Sequence, residues 1–186
     1  MTASRVVQLP FWVECWLIAS SLICLIDVSF TMLRPHSTRG GALENVYYLW
    51  NIYADVDIRY ADAKDIVTMA TGRLMLVEIV MDWVAAWMNR VGSRHTLLTA
   101  FTSSAFVFWK TAVFLMLYVG VPEGNPSYFV EGTPIWKIAV VFWFMNGIWL
   151  VMPFAVMLTL WNKIALPVRS LSVDNISDQS DQKQLV

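Results

Sequence analysis

Four ionisable side chains lie deep inside long apolar stretches of this sequence: Asp27, Arg73, Glu78 and Lys110. A charged group at the centre of a bilayer costs on the order of 3 kcal/mol if it faces lipid, so we expect all four to face the interior of a helix bundle. Two carboxyl groups there are suited to proton transfer, and two cations to polarising an oxygen. The pattern predicts a polar cavity for a lipophilic ligand bearing one polar group.

The same four residues are also compatible with buried ion pairs that only fix how the helices pack. Glu14 and Asp82 lie one to two turns from the ends of their apolar stretches, where partial hydration accounts for a carboxyl without a functional role. Thr71, Met75, Glu78 and Asp82 follow one another at helical spacing. They therefore share one helix face, which we predict to line the cavity.

Long apolar helices must position these residues. Hydrophobic residues make up 58% of the 186-residue chain, with 10 Trp and 10 Phe, and this is more apolar surface than one small soluble core can bury. The sequence predicts an all-α integral membrane protein, a bundle of about four transmembrane helices enclosing an intramembrane pocket. The predicted spans are residues 11–33, 66–88, 96–119 and 138–161.

The chain divides into three predicted parts. Residues 1–10 form a short N-terminal segment, residues 11–164 the four-helix membrane domain, and residues 165–186 a polar tail without apolar periodicity that we expect to be disordered. The tight turn at residues 89–94 makes the second and third spans antiparallel neighbours. A small excess of basic residues on the side of the termini favours cytosolic termini.

Several classes of function are excluded or unsupported. The net charge of -1 and the lack of a basic run argue against a nucleic-acid partner. Cys15 and Cys24 are nine residues apart in one apolar stretch, too far along a helix for a disulfide. There is no glycine-rich phosphate loop and no Cys/His metal spacing, so we expect neither a cofactor nor a metal. The expected partners are the bilayer and a lipophilic small molecule, with a homodimer left open.

Tryptophan and asparagine mark other positions in the spans. Trp109 and Trp149 lie deep, where a ring face stabilises a cation. Asn146 shares a helix face with Trp149, and an asparagine at that depth requires a hydrogen-bond partner, either in a ligand or in a neighbouring helix. The tryptophans near span ends are predicted interface anchors: Trp12, Trp87, Trp136 and Trp161.

The stretch FWFMNGIWLVMP at residues 142–153, with YADVDIRY at residues 53–60 and the pair Cys15-Trp16, resembles the emopamil-binding protein family, also called the EXPERA domain. The likeness extends through all four spans. It implies a membrane protein of the endoplasmic reticulum that needs no cofactor. Family members include the sterol delta8-delta7 isomerase, which protonates a ring double bond and removes a proton elsewhere, and proteins that bind sterols or cationic amphiphiles without known catalysis.

Matched residue by residue, the family's last-helix Asn and Trp fall at Asn146 and Trp149. Its Asp-x-Arg-Tyr element falls at Asp57, Arg59 and Tyr60. These five residues match the family pattern, and the resemblance implies that they contribute to a ligand site.

The acid/base residues of the sterol isomerase are not matched. Its first-helix His and Glu fall at Cys24 and Val28. Its second-helix Glu and the Thr three residues later fall near Ala70 and Arg73, and its third-helix Asp falls at Lys110. The departures argue against ordinary sterol isomerisation and leave an apolar pocket with different polar groups.

We therefore predict an isomerase that acts by proton transfer on a lipophilic polycyclic substrate of specialised metabolism. The alternatives are a sterol delta8-delta7 isomerase, a protein that binds sterols or amphiphiles without catalysis, and a subunit whose charges serve packing only. Asp27 and Glu78 are the predicted proton-transfer residues, with donor and acceptor left open, while Asn146 orients the substrate and Trp149 faces a cation. The predicted substrate-binding residues are Cys24, Asp57, Tyr60, Arg73, Trp109 and Lys110.

Overall fold

The computed structural model describes the backbone of residues 8–183 and the side chains of residues 8–165. Residues 1–7 of the predicted N-terminal segment lie outside this part, as do nearly all side chains of the predicted tail. The backbone of that tail is helical as far as Lys183, whereas the sequence predicts disorder for residues 165–186. The described chain is helical. Its helices are α1 (Phe11–Met32), α2 (Tyr48–Ala54), α3 (Ile58–Ala61), α4 (Ile66–Arg90), α5 (Thr96–Met116), α6 (Ile135–Lys137) and α7 (Met145–Lys183).

Four long helices form the bundle of an all-α membrane protein, as predicted. Three are long and apolar enough to cross a membrane: α1, α5 and the stretch Ile135–Ala165. That stretch, called the last span here, joins α6 to α7 through a π-helical segment, Ile138–Phe144. The 25-residue α4 is also long enough but carries Arg73, Glu78 and Asp82.

Local sequence signals set the start and end of α4. The Asp65 side chain accepts a hydrogen bond of 2.7 Å from the amide of Thr68, which caps the helix at its N-terminus. After Arg90, Gly92 adopts a φ of +67°, a conformation that glycine reaches without strain, and the chain reverses into α5. The predicted antiparallel pair of the second and third spans is confirmed as α4 and α5.

Helices α1 and α4 are also antiparallel and keep one register over their whole length. Ser20 lies opposite Asp82, and Cys24 lies opposite Glu78. Further along, a Cβ on Gly72 would lie 2.7 Å from the terminal methyl group of Met32, so the missing side chain permits close approach of the two helices. The α5 helix packs against α4 on one side and the last span on the other.

Two connections, residues 33–65 and 117–134, cover one end of the bundle, called the loop face. The Arg34 guanidinium donates to the carbonyls of Tyr60 (2.9 Å) and Asp62 (2.6 Å) and so fixes the first connection against α1. An isolated antiparallel bridge between Asp57 and Phe129 joins the two connections. The opposite end, where α1 begins and α4 turns into α5, is the terminal face.

An aromatic cluster fills the loop face beside the last span. Phe142, in the π-helical segment, is fully buried and lies 4.4 Å from Tyr118 and 5.0 Å from Phe129, measured between ring centroids. Elsewhere the predicted anchor tryptophans have exposed side chains, as interface anchors require: Trp12, Trp87, Trp136 and Trp161.

Candidate functional site

Three helices meet around one carboxyl group in the middle of the bundle. Glu78 of α4 is fully buried, and one of its oxygens, Oε2, lies 2.5 Å from the ammonium of Lys110 on α5. The other oxygen accepts a hydrogen bond of 3.3 Å from the thiol of Cys24 on α1. A buried ion pair is tolerated only when its partners satisfy one another. The predicted residues Cys24, Glu78 and Lys110 are thus brought together.

A second carboxyl group lies on α1, three residues from Cys24 and so on the same helix face. Asp27 accepts hydrogen bonds from the Trp50 indole (3.1 Å) and from the Tyr60 hydroxyl. Both donors belong to the connection at the loop face. Asp27 lies about one helical turn along α1 from Cys24, whose thiol bonds to Glu78. The predicted residues Asp27 and Tyr60 therefore adjoin the Glu78–Lys110 pair.

Tyr53 connects the last span to this group. The Asn146 amide donates 2.8 Å hydrogen bonds to the Tyr53 hydroxyl and to the carbonyl of Phe142. The ring of Tyr53 in turn lies edge-on to Tyr60, with centroids 4.7 Å apart. Asn146 lies two residues after the end of the π-helical segment, a conformation that is frequent at functional sites. Asn146 is thus linked, through two tyrosines, to Asp27.

Trp149 lies beside the thiol end of the site. It packs against an apolar cluster that includes Cys24, Val28 and Met75. Its ring is edge-on to Trp16 at 5.7 Å. A deep tryptophan next to an ionisable group presents a ring face that can stabilise a cation. The two matched last-helix residues, Asn146 and Trp149, therefore reach different parts of the same region.

A third carboxyl group lies one turn from Glu78 towards the terminal face. Asp82 is 2% exposed and accepts hydrogen bonds from Ser103 (2.5 Å) and Ser20 (3.3 Å). The neighbouring hydroxyl of Ser104 is buried without a hydrogen-bond partner. The expectation that Asp82 is partly hydrated near a span end is wrong, because α5 and α1 enclose it.

Two predicted binding residues lie on the outer surface instead. Arg73 has an exposed side chain on the same face of α4 as Val77 and Val80, so the expectation that it faces the bundle interior is wrong. Trp109 is 62% exposed and shares the outer face of α5 with Val113. Both helices turn their polar or small residues inward and leave these large side chains to the outside.

Asp57 lies at the bridge between the two connections. Its carboxyl accepts hydrogen bonds from the Tyr118 hydroxyl (2.8 Å) and the Arg59 amide (3.0 Å), and the side chain is fully buried. Burial raises the pKa of Asp57 to about 6, although the hydrogen bond from Tyr118 lowers it. Burial and the nearby Asp57 raise the pKa of Tyr118 in turn. Through these contacts Asp57 holds the two connections together, and it does not line the central site.

Residues that the sequence prediction missed complete the site. Trp50 and Tyr53 both come from α2, in a connection whose folding no periodic pattern reveals. Tyr53 is the first residue of the YADVDIRY element, and that element was the one feature of the sequence that could have pointed to Tyr53. Ser103 and Ser104 form a polar pair inside an apolar helix, and that pattern alone could have pointed to a buried hydrogen bond with α4.

One cavity lies away from this site, in the connection after α5. It has a volume of about 290 Å³ and is lined by Tyr118, residues 121–125 and residues 127–129. At the centre of the bundle the polar groups bind one another, and the predicted intramembrane pocket stays a prediction. Among the described residues, no group of three or more His, Cys, Asp or Glu side chains could hold a metal ion.

No protein-family model, no curated protein and no solved structure matches this chain. The resemblance to the emopamil-binding protein family rests on the residues given above, of which Asn146, Trp149 and Tyr60 lie in or beside the central group.

Proposed function

We propose that this chain is a membrane-embedded isomerase of the emopamil-binding protein type. It would move a double bond, or rearrange a ring, in a lipophilic polycyclic substrate of specialised metabolism at the endoplasmic reticulum membrane. One observation carries the proposal: two carboxyl groups, Glu78 and Asp27, lie with Lys110 inside an apolar bundle. Such a group can move protons without a cofactor.

In this mechanism Asp27 is the acid and Glu78 the base. The π electrons of the substrate double bond take the proton of Asp27, which leaves a carbocation on the neighbouring carbon. Glu78, the carboxylate of the ion pair, then removes a proton from another carbon, and the electrons of that C–H bond form the new double bond. Glu78 then releases its proton to water and Asp27 takes up another from water, so composition and charge are unchanged after each turnover.

Three other side chains assist in the proposal. Lys110, which already contacts Glu78, polarises an oxygen of the substrate. The ring of Trp149 faces the cation, an interaction worth several tenths to about 2 kcal/mol. Asn146, held by Tyr53, orients the polycyclic body. We also propose that both termini lie in the cytosol.

A second candidate function is a protein that binds sterols or amphiphiles without catalysis. The observation that favours it is the mutual satisfaction of Glu78, Lys110 and Cys24, which need no substrate to complete their hydrogen bonds. A binding protein needs the apolar surroundings of this group, but it does not need a residue that removes a proton from the ligand. The sterol delta8-delta7 isomerase is a third candidate, which the same assay addresses.

The test is conversion of lipophilic precursors, sterols included, by the protein in microsomes. Mass spectrometry should find a product of unchanged mass and new retention time, and in heavy water the product should gain one deuterium. Glu78→Gln and Asp27→Asn should abolish the product, whereas Glu123→Gln, a carboxyl in the exposed connection, should not. Folded protein that binds these precursors and converts none of them would favour the binding function.

A further inference from the structure

The polar side chains between α1 and α4 form three consecutive layers. The first contains Asp82 with Ser20 and Ser103. The second contains Glu78 with Cys24 and Lys110. The third contains Asp27 with Trp50 and Tyr60. Successive layers are three or four residues apart on a helix, which is about 4.5–6 Å of axial rise.

The row of layers ends abruptly towards the terminal face. Leu17 and Ala85, 2% and 0% exposed, occupy the next position of the α1–α4 register, between Asp82 and the surface. They belong to an apolar cluster from all four long helices that excludes polar groups. Beyond it, Glu14 bonds to Asn89 (3.0 Å) and Arg90 (2.7 Å). Leu17 and Ala85 thus separate two polar regions.

Towards the loop face the row continues to accessible groups. Asp27 is only partly buried, and so is the Trp50 that covers it. Two residues further on α1, on another face of the helix, the hydroxyl of Ser29 accepts a hydrogen bond of 2.9 Å from Tyr47. The polar groups therefore extend from Asp82 to the partly exposed Asp27, beside the apolar cluster of Val28, Met75 and Ile79.

We propose that this row is a proton path, open to water at the loop face and closed at the terminal face by Leu17 and Ala85. A proton moves along it through water that bridges one carboxyl group to the next: the water takes up a proton from one carboxyl group and gives one to the following carboxylate, which leaves the donor ready to accept another. The titratable groups facing the path are Asp82, Glu78, Lys110, Cys24, Asp27 and Tyr60. The path gives a role to Asp82, which the isomerase mechanism does not use.

The proposal goes beyond the isomerase and does not depend on it. If the protein is an isomerase, the path supplies the protons of the reaction from the loop face. If the protein is a binding protein, the path remains as a separate property of the bundle. The experiment therefore uses no substrate, so that failure of one proposal is distinguishable from failure of the other.

The experiment opens the closed end of the path. The full chain is reconstituted into phosphatidylcholine vesicles that contain a pH-sensitive dye, and proton entry is recorded after an acid jump with the membrane potential clamped by potassium and valinomycin. Leu17→Asn places an amide between the Asp82 layer and the Glu14–Asn89 group. Ala85→Ser is a milder second variant, and Ile18→Asn, on the outward side of the same turn, is the matched control.

Vesicles with wild-type protein or Ile18→Asn should hold the pH gradient. Those with Leu17→Asn should leak protons several-fold faster, and those with Ala85→Ser should leak to a smaller extent. Adding Asp82→Asn to Leu17→Asn should remove the leak, because the path is then interrupted at its first carboxyl group. A leak that persists in this double variant, or tight vesicles with both folded variants at 17 and 85, would overturn the proposal.

Discussion

The bundle contains two interfaces between antiparallel helices that differ in chemistry. Between α1 and α4 the contacts are polar: Trp83 donates to Ser21 at 2.9 Å, and Cys24 donates to Glu78. Between α5 and the last span they are aromatic and aliphatic. Phe108 lies 5.7 Å from Phe154, and Phe101 lies 6.1 Å from Trp161, measured between ring centroids.

The difference shows that polar contacts are not required to hold these helices together. Van der Waals packing suffices for the α5 interface, as it does for many helix pairs in lipid. A buried ion pair adds little net stability over apolar residues of the same shape. Stability alone therefore does not account for the polar contacts that Glu78 makes with α1 and α5.

The largest effect should come from breaking the ion pair on one side only. Glu78→Leu leaves Lys110, whose side chain is 8% exposed, without its partner. We expect a loss of about 3–5 kcal/mol in unfolding free energy, and recovery of most of it in Glu78→Leu with Lys110→Met. Denaturant titration in detergent micelles measures both. If the double variant is no more stable than the single one, the packing of α4 against α5 depends on this ion pair.

The apolar interface should respond to volume instead. Leu160→Ala removes a fully buried side chain of the last span and should cost about 2–4 kcal/mol through the cavity that it leaves. Leu158→Ala, on the exposed side of the same helix, is the control and should change stability little. Thermal unfolding in nanodiscs compares the two. Equal losses at both positions would contradict the assignment of inner and outer faces.

A smaller effect concerns the loop face, where Asp57 ties Tyr118, just after α5, to the first connection. The folded-state pKa of about 6 lies above the usual value of 3.8, so the folded protein binds this proton more tightly than the unfolded one. The stability that this proton contributes is present below pH 4 and is lost as the pH rises through 6, by about 3 kcal/mol at most. The difference in unfolding free energy between wild type and Asp57→Asn should therefore shift over this interval, and a constant difference would refute the prediction.

The smallest effect is expected at Arg73. Its side chain leaves the helix towards the N-terminus of α4, and a guanidinium on the outer surface can extend to the lipid head groups. Arg73→Gln should change the unfolding free energy by less than about 0.5 kcal/mol. A loss as large as that of Glu78→Leu would mean that Arg73 has a buried partner and belongs to the polar interface.

Much of the fold follows from the sequence because it depends on local pattern. Length and apolarity predict the four long helices, and the turn at Gly92 predicts the α4–α5 pair. Helical spacing also places Met75, Glu78 and Asp82 on one buried face, as observed.

The site was predictable only in part, for physical reasons. A carboxyl group in an apolar helix requires hydrogen-bond donors, so the pairing of Glu78 with Lys110 was foreseeable. The donors to Asp27 come from Trp50 and Tyr60, in a connection whose fold depends on contacts distant in sequence. Arg73 was misplaced because the cost of a charge in lipid was applied without allowing for the reach of its long side chain.

The π-helical segment has a consequence for the ancestry of this chain. A π turn holds one residue more than an α turn, so deletion of a residue within Ile138–Phe144 would restore a regular helix. The helix before it, including Trp136, would keep its facing relative to Asn146, because the wider turn already absorbs the extra residue. A relative without the extra residue should therefore align with a single gap in this segment. The aromatic contacts on either side of the gap would need little change.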